Sequence, residues 1–483
     1  MRKESDLRPY QRATVDFGLK EGKVFLMDEM GLGKTVTALT LIDYWIYGCF
    51  AADCALVVAT KSIVESVWEQ EAAQWEHTKH LTFSAIHGRT EKHRLAGMKK
   101  KADVYLVSRD NIKWLMAQYG GTNIPQGILI VDESSSFKNP KAQRTKALMR
   151  AAASVGYTLL LTGTPRPKNL EDLWSQMYLI DQGARLGKSI GAFRRNFMEN
   201  HTRPGDNYPT WKERKGAQEE VMALIGDVCT AKKTRDYIDL PPRITTNIEV
   251  YLPDKIKKAY KQFQADRVLG MIEEILAAPE ERASEIFAAN KAALLIKLHQ
   301  FAGGALYDED RNVIKIHDAK MDALAEYLEV LDGSPVIVVY AYQHERDRML
   351  KRFKKMGIRQ YKGPKDVEDW NAGRIPILTG HPASMGHGLN LQYGGNRVLH
   401  YSLTTNLEYK LQVDARVDRS GQKADNVFID HLTCPGTVDV RIYNRLLEKN
   451  MGQNELMDEL GKDLLREFAP RRFKEKFGSV LNL

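Results

Sequence analysis

The sequence predicts an α/β protein: two parallel-sheet lobes in tandem, with helical protrusions between them. Three observations predict it. Over residues 1–180, short apolar runs alternate with helical patterns. Over 181–319 that alternation lapses into helices and a linker. Over 320–450 it returns. A chain of 483 residues is too long for one ordinary core and suits two or three domains.

In the first lobe the strand candidates are 24–27, 55–60, 104–108, 128–132 and 158–162. Buried runs of this kind, with helices between them, imply a parallel sheet covered on both faces. In such sheets ligands gather at the carboxyl ends of strands. Asp28, Thr60, Ser108, Asp132 and Thr162 fall at those ends. In the middle stretch, 256–276 and 284–301 read as helices with charges on one face, and Pro241-Pro242 breaks the chain before them. The second lobe has strand candidates at 336–340, 375–379, 397–401 and 426–431. Residues 451–483 read as an amphipathic stretch and then a basic tail, Pro470-Arg471-Arg472-Phe473-Lys474-Glu475-Lys476.

Composition excludes several classes. Hydrophobic residues make up 43% and charged residues 28%, which suits a globular chain. No apolar stretch approaches the roughly 18 residues needed to span a bilayer. The opening Met1-Arg2-Lys3-Glu4-Ser5-Asp6 lacks an apolar signal core. A cytoplasmic protein without membrane contact is expected, or a nuclear one in a eukaryote. Cys49, Cys54, Cys229 and Cys434 form no CxxC pair and read as reduced thiols. The net charge of +9 favours a polyanionic partner.

The sharpest local signal is Met27-Asp28-Glu29-Met30-Gly31-Leu32-Gly33-Lys34-Thr35, after a strand and before an apolar helix. Gly31 and Gly33 let backbone N–H groups approach phosphate oxygens. The helix N-terminus adds a favourable dipole. Lys34 is expected on the β- and γ-phosphates of ATP, and the Thr35 hydroxyl on Mg²⁺. The general pattern has Gly six places before the Lys; here Asp28 stands there.

Asp132 and Glu133 follow the run Ile128-Leu129-Ile130-Val131. Two carboxylates delivered to the end of a buried strand are costly unless they meet a cation or a proton. Asp132 is expected to hold Mg²⁺ and Glu133 to polarise the attacking water. The plainer alternative is capping of the next helix. In the second lobe Gln412, Arg416 and Arg419 are spaced to share one face of a helix that Gly421-Gln422 ends. Such arginines can bridge phosphate oxygens. The plainer reading is a solvated basic face paired with Asp414 and Asp418.

Here the sequence resembles the Swi/Snf family of superfamily-two helicase-like ATPases, over roughly Leu7 to Lys449. Leu7-Arg8-Pro9-Tyr10-Gln11 resembles the opening motif, and 28–35 motif I. Asp132-Glu133-Ser134-Ser135 with Phe137-Lys138-Asn139-Pro140 resembles motif II, and Leu161-Thr162-Gly163-Thr164-Pro165 motif III. Asn169-Leu170-Glu171-Asp172-Leu173-Trp174 follows it. Leu240-Pro241-Pro242 resembles the entry to the linker. Gly386-His387-Gly388-Leu389-Asn390-Leu391 resembles motif V, and Gln412, Arg416, Arg419, Gly421 and Gln422 motif VI. Residues 437–447 resemble the bracing helix.

The resemblance implies two RecA-like lobes that close on one ATP, and translocation along double-stranded DNA without full strand separation. It assigns Gln11, Met30, Gly31, Leu32, Gly33, Lys34 and Thr35 to ATP, and Lys34, Glu133, Arg416 and Arg419 to hydrolysis. It gives Thr162, Gly163, Thr164 and Gln412 to coupling. Lys61, Ser108, Gln343, Ser384 and Gly386 would meet strand phosphates, which position without reading sequence. Residues 1–180 would be the ATP-binding lobe, 181–319 the protrusions and linker, 320–450 the helicase lobe and 451–483 a brace and tail. The expected form is a bare monomeric motor of compact prokaryotic or viral type. An unwinding helicase on DNA or RNA, or a remodeller of proteins that touches DNA, is the alternative.

There are departures. Ser134 and Ser135 stand where the family has Ala or Gly and then His or Gln, and Leu403-Thr404-Thr405-Asn406 replaces an aromatic pair. Other features read plainly. His77, His80, His87 and His93 fit no metal site. Trp68 and Trp75, seven residues apart on a helix, suit core packing over base stacking. Lys99-Lys100-Lys101 reads as a solvated turn.

Overall fold

A computed structural model describes residues 1–483 apart from 89, 122, 164–169, 202–210, 280–281, 387–388, 448–459, 461, 468, 471–472, 475, 478–480 and 482–483, and apart from the side chains of Ser62, Glu65, Ser66, Ser284 and Ala288. The chain divides into two compact units, Met1–Asp239 and Leu240–Leu483.

The first unit is built on β1 (Lys23–Leu26), β2 (Cys54–Ala59), β3 (Phe83–Ile86), β4 (Val104–Ser108), β5 (Gly127–Val131) and β6 (Tyr157–Leu161). An antiparallel ribbon of β7 (Met198–Asn200) and β8 (Trp211–Glu213) follows, and then β9 (Cys229–Thr230). The sheet runs β3-β4-β2-β5-β6-β1-β9, and every pair in it is parallel. Its strands are apolar on both faces, and the period of two sorts them. Ala55, Val57, Ile128 and Ile130 pack with Leu39, Ile42 and Trp68 on one side. Leu56, Val58, Leu129 and Val131 pack with Phe137, Leu148 and Leu173 on the other.

In the second unit the strands are β10 (Arg243–Glu249), β11 (Ala305–Tyr307), β12 (Val313–Lys315), β13 (Val336–Val339), β14 (Ile358–Gln360), β15 (Ile377–Gly380), β16 (Arg397–His400) and β17 (Val427–Thr433). Its sheet runs β10-β17-β16-β13-β15-β14, again parallel throughout. β11 and β12 form a separate antiparallel pair. Val336 and Val338 face one apolar layer, Ile337 and Val339 the other. The helices Asp254–Ala277 and Ala283–Ala302 build a third layer of their own. Tyr260, Ile272, Leu298 and Phe301 pack there with Val438 and Ile442, and with Leu464, Phe473 and Phe477 of the tail.

Six described strands, β7 to β12, fall inside the stretch read from sequence as helical; four form the two small antiparallel pairs, and β9 and β10 join the large parallel sheets. β9 has two residues, too few for a pattern. β10, Arg-Ile-Thr-Thr-Asn-Ile-Glu, is a half-exposed edge strand with no apolar run. The strands β3 and β14 escaped notice for a similar reason: both are short and lie at sheet edges.

Candidate functional site

The helix α2 (Lys34–Asp43) begins at the end of the glycine loop. Gly31 and Gly33 hold φ of +88° and +74°, a backbone open to glycine at little cost. A Cβ at Gly33 would fall 2.3 Å from Gln11 Nε2, so the amide of Gln11 lies against the loop. That amide donates to the Leu32 carbonyl at 3.0 Å and accepts from the Arg8 N–H at 2.9 Å. Gln11 belongs to α1 (Pro9–Glu21), and Pro9 at its first position sets the helix start. The Lys34 ammonium donates to the carbonyls of Asp28, at 2.6 Å, and Glu29, at 2.9 Å.

At the end of β5 the Asp132 N–H donates to the Val58 carbonyl at 2.8 Å, which keeps the neighbouring strand ends level. Burial raises the Asp132 carboxyl above its ordinary value, against the pull of the Lys34 ammonium and the Trp68 indole. Lys34 and Asp132 therefore share one electrostatic environment. Glu133 adopts φ +53°, a left-handed backbone that a residue with a side chain holds only when its surroundings impose it. Ser134, buried, donates its hydroxyl to Gln176 Oε1 at 2.7 Å, so this departure from the family pattern is anchored to the helix Glu171–Asp181. Thr162 continues β6 by donating its N–H to the Leu26 carbonyl at 3.0 Å. A Cβ on Gly163 would meet Met30 Cγ at 2.8 Å, which puts the third motif against the phosphate loop. Thr164 lies outside the described residues.

The glycine cradle at the start of a ten-residue helix suits phosphate, and the oxygen donors Thr35 and Asp132 suit a hard cation. Among the described residues no cluster of three His, Cys, Asp or Glu side chains could hold a metal ion. Trp68 and Trp75 are buried in the core and present no face to a base. Lys99, Lys100 and Lys101 are exposed.

In the second unit, Gln412 lies on the helix Leu407–Asp414, but that helix stops before Arg416 and Arg419, which occupy the turns after it. This corrects the expectation of one continuous helical face. The two arginines still converge. Arg416 and Arg419 both donate to the Leu389 carbonyl, at 3.3 Å and 3.1 Å, and Arg416 Nε reaches back to the Gln412 carbonyl at 2.8 Å. Asp414 is held by Lys410, His400 and Arg243, each at 2.8 Å. Burial alone would raise the Asp414 carboxyl, yet these partners hold it well below the usual carboxylate range. A Cβ on Gly386 would meet Gln412 Oε1 at 2.7 Å, so motif V packs directly on this helix. His387 and Gly388 lie outside the described residues.

The residues expected on nucleic acid sit at strand ends in both units. Lys61 opens α3 (Lys61–Ala72) directly after β2, and Ser108 ends β4; Ala59 and Ser108 are register partners. Gln343 and Ser384 are exposed, after β13 and β15. Sequence reading missed Thr230, Lys232, Thr234 and Arg243. The first three bond the phosphate loop and the last bonds Asp414. The one hint was Asp28 itself, a carboxylate where the general pattern has glycine.

Residues 10–300 match the model of the SNF2-related domain. Protein p41 of Acyrthosiphon pisum secondary endosymbiont phage 1 is 34% identical over 464 residues, which is 94% of this chain and 98% of that protein. The human DNA annealing helicase and endonuclease ZRANB3 is 23% identical over 93% of this chain, and the match spans 40% of ZRANB3. The Sulfolobus solfataricus SWI2/SNF2 ATPase core in complex with dsDNA aligns at 22% identity and a TM-score of 0.43, covering 97% of this chain and 96% of its own.

Proposed function

The chain belongs to the SNF2-related family, and from that premise we propose that it is an ATP-hydrolysing motor that moves along double-stranded DNA. One observation carries the reading. A glycine loop at a helix N-terminus holds Lys34 in the field of Asp132, with Glu133 adjoining, all in one unit. No helix among the described residues is long and apolar enough to cross a membrane.

In this reading the loop N–H groups from Met30 to Thr35 bind the phosphates. Lys34 exchanges its two loop carbonyls for the β- and γ-phosphate oxygens. Thr35 and Asp132 hold Mg²⁺, which when bound neutralises charge on those oxygens. Gln11 reads the adenine. Glu133 orients and polarises the attacking water. Arg416 and Arg419, from the second unit, add positive charge at the transferring phosphoryl group, a contribution typically worth about 10³–10⁵ in turnover. Thr162, Gly163, Thr164 and Gln412 couple hydrolysis to movement. Lys61, Ser108, Gln343, Ser384 and Gly386 grip strand phosphates. The net charge of +9 supports a polyanionic track.

The test is ATP hydrolysis by the full chain with no nucleic acid, then with duplex DNA, single-stranded DNA and RNA. Duplex DNA should raise turnover at least about tenfold, and triplex displacement should then follow. Stimulation by single strands or RNA alone would replace the translocase with an unwinding helicase. Absence of stimulation by any of them would overturn the nucleic-acid motor.

A further inference from the structure

The first half of the phosphate loop, Met27 to Met30, is held by a segment far away in sequence. β9 pairs with β1, and the ladder runs on past both strands. The Met27 N–H donates to the Thr230 carbonyl and the Glu29 N–H to the Lys232 carbonyl, both at 2.8 Å. The Asp28 carboxylate, 4% exposed, accepts through one oxygen from the Thr230 hydroxyl and the Lys232 N–H, each at 3.0 Å. Its other oxygen lies 3.5 Å from the Lys232 ammonium. That ammonium also donates at 3.0 Å to the Thr14 hydroxyl on α1, the helix that carries Gln11. Thr234 donates its N–H to the Glu29 carboxylate at 2.8 Å and its hydroxyl to the Met30 carbonyl at 2.7 Å.

Asp28, Glu29 and Met30 are thus each bonded to residues 230–234. Asp28 and Glu29 also supply the two carbonyls on which Lys34 rests. When Lys34 leaves them for phosphate, these peptide units lose a charged donor and must readjust. Residues 230–234 are bonded to those same units. The chain then continues through Pro241-Pro242, whose rings fix φ and stiffen it, to Arg243. Arg243 donates to Asp414 at 2.8 Å, and its second terminal nitrogen lies 3.9 Å from Asp418. Asp414 ends the helix that leads into Arg416 and Arg419.

We propose that residues 230–243 form a strap that couples the phosphate loop to the arginine-bearing turns, with Lys232 and Arg243 as positioning residues at its two ends. The inference rests on the ATPase reading above. A coupling element is one whose arrangement both sites bias, and this segment is bonded to a catalytic loop at one end and to a catalytic turn at the other. Neither positioning residue contacts ATP in this scheme. Their loss therefore lowers turnover at saturating ATP and spares affinity.

The experiment is DNA-stimulated ATP turnover by the full chain carrying Lys232→Met, Arg243→Gln, or both. Binding of a fluorescent ATP analogue and thermal melting are measured alongside. Each single variant should lower kcat about tenfold, with analogue affinity changed less than about threefold. The double variant should be no slower than the slower single, because a strap cut at one end is already cut. Lys232→Arg and Arg243→Lys should each recover at least about half of the lost rate. Multiplying losses, about a hundredfold in the double variant, would mean two independent contributions and overturn the strap. So would single variants with wild-type kcat, or losses that appear only as weaker nucleotide binding. If Lys232→Met or Arg243→Gln melts below the assay temperature, all chains are compared at a temperature below the lowest melting point, where the same outcomes decide. A wild-type chain that turns over no ATP on any nucleic acid would fail the ATPase reading, and the strap with it. A stimulated wild type matched by its variants would fail the strap alone.

Discussion

Gly33 holds a left-handed backbone beside the Gln11 amide, which would lie 2.3 Å from any added Cβ. Gly33→Ala therefore meets two penalties, about 1–2 kcal/mol of left-handed strain and a steric overlap that pushes Gln11 off the loop. ATP-analogue affinity should fall at least about tenfold, read by fluorescence titration. Unchanged affinity would mean that the loop accommodates a side chain and that Gln11 is not packed on it. Glu133 poses the complementary case. Glu133→Gln keeps the shape and removes the charge, so turnover should fall by about 10²–10⁴ while duplex DNA still binds. Lys34→Ala should likewise abolish turnover with binding retained. Pure Glu133→Gln protein with normal turnover would remove that residue from the chemistry. The loop and the carboxylate pair were legible because each is a local string. Thr230, Lys232 and Thr234 were not, because they reach the loop from about 200 positions away through hydrogen bonds that no local spacing records. Asp28 drew notice as an irregularity in a familiar pattern, and its reason appears only with its partners.

Among the elements, the helix Leu407–Asp414 shows where spacing misleads. Intervals of four and three predicted one helix through Arg419. The helix ends at Asp414, where a buried carboxylate is fixed by Lys410, Arg243 and His400, and the arginines converge through a shared carbonyl instead. The helix expected through Arg419 does not form, because tertiary anchoring overrode a local period. Asp414→Ala leaves two cations and an imidazole facing a void. Breaking a buried pair in this way costs about 3–5 kcal/mol, and the loss should show in denaturant unfolding of the second unit. A change under about 1 kcal/mol would mean that water replaces the carboxylate and that the site is not dry. The same contrast separates the strands. The buried ones, such as β2, β5 and β13, announce themselves by apolar runs; β10 pairs along seven register positions with β17 yet exposes polar residues, so nothing in its own sequence marks it.

At the scale of the whole chain, the sequence alone divides into two stretches of one strand-helix grammar, and each becomes a parallel sheet with two apolar layers. What composition did not convey is where the histidines go. In the second unit His299, His344 and His431 are buried. Burial pushes His299 and His344 down to about 4 and His431 down to about 2. His299 faces Asp439, Lys320 and the Tyr342 hydroxyl; His344 faces Arg348, Asp347 and the Tyr307 ring; His431 faces His400, Lys410, Asp414 and the Thr246 carbonyl. The sign follows from linkage. Unfolded imidazoles take up protons near pH 6.5, whereas these folded ones stay neutral until far lower. Above that pH both states are neutral and stability is full. As pH falls from about 6.5 towards 4, each of the three histidines removes about 1.4 kcal/mol per unit. The depressed Asp414 adds its own loss at lower pH still, once its carboxylate is forced to take a proton. Hydrogen exchange compared at about pH 7.5 and about pH 5, corrected for intrinsic rates, should therefore show protection falling more across Leu240–Leu483 than across Met1–Asp239. Equal loss in both units, or none in the second, would mean that these imidazoles are hydrated in the folded chain and that the core around them is wetter than its packing implies.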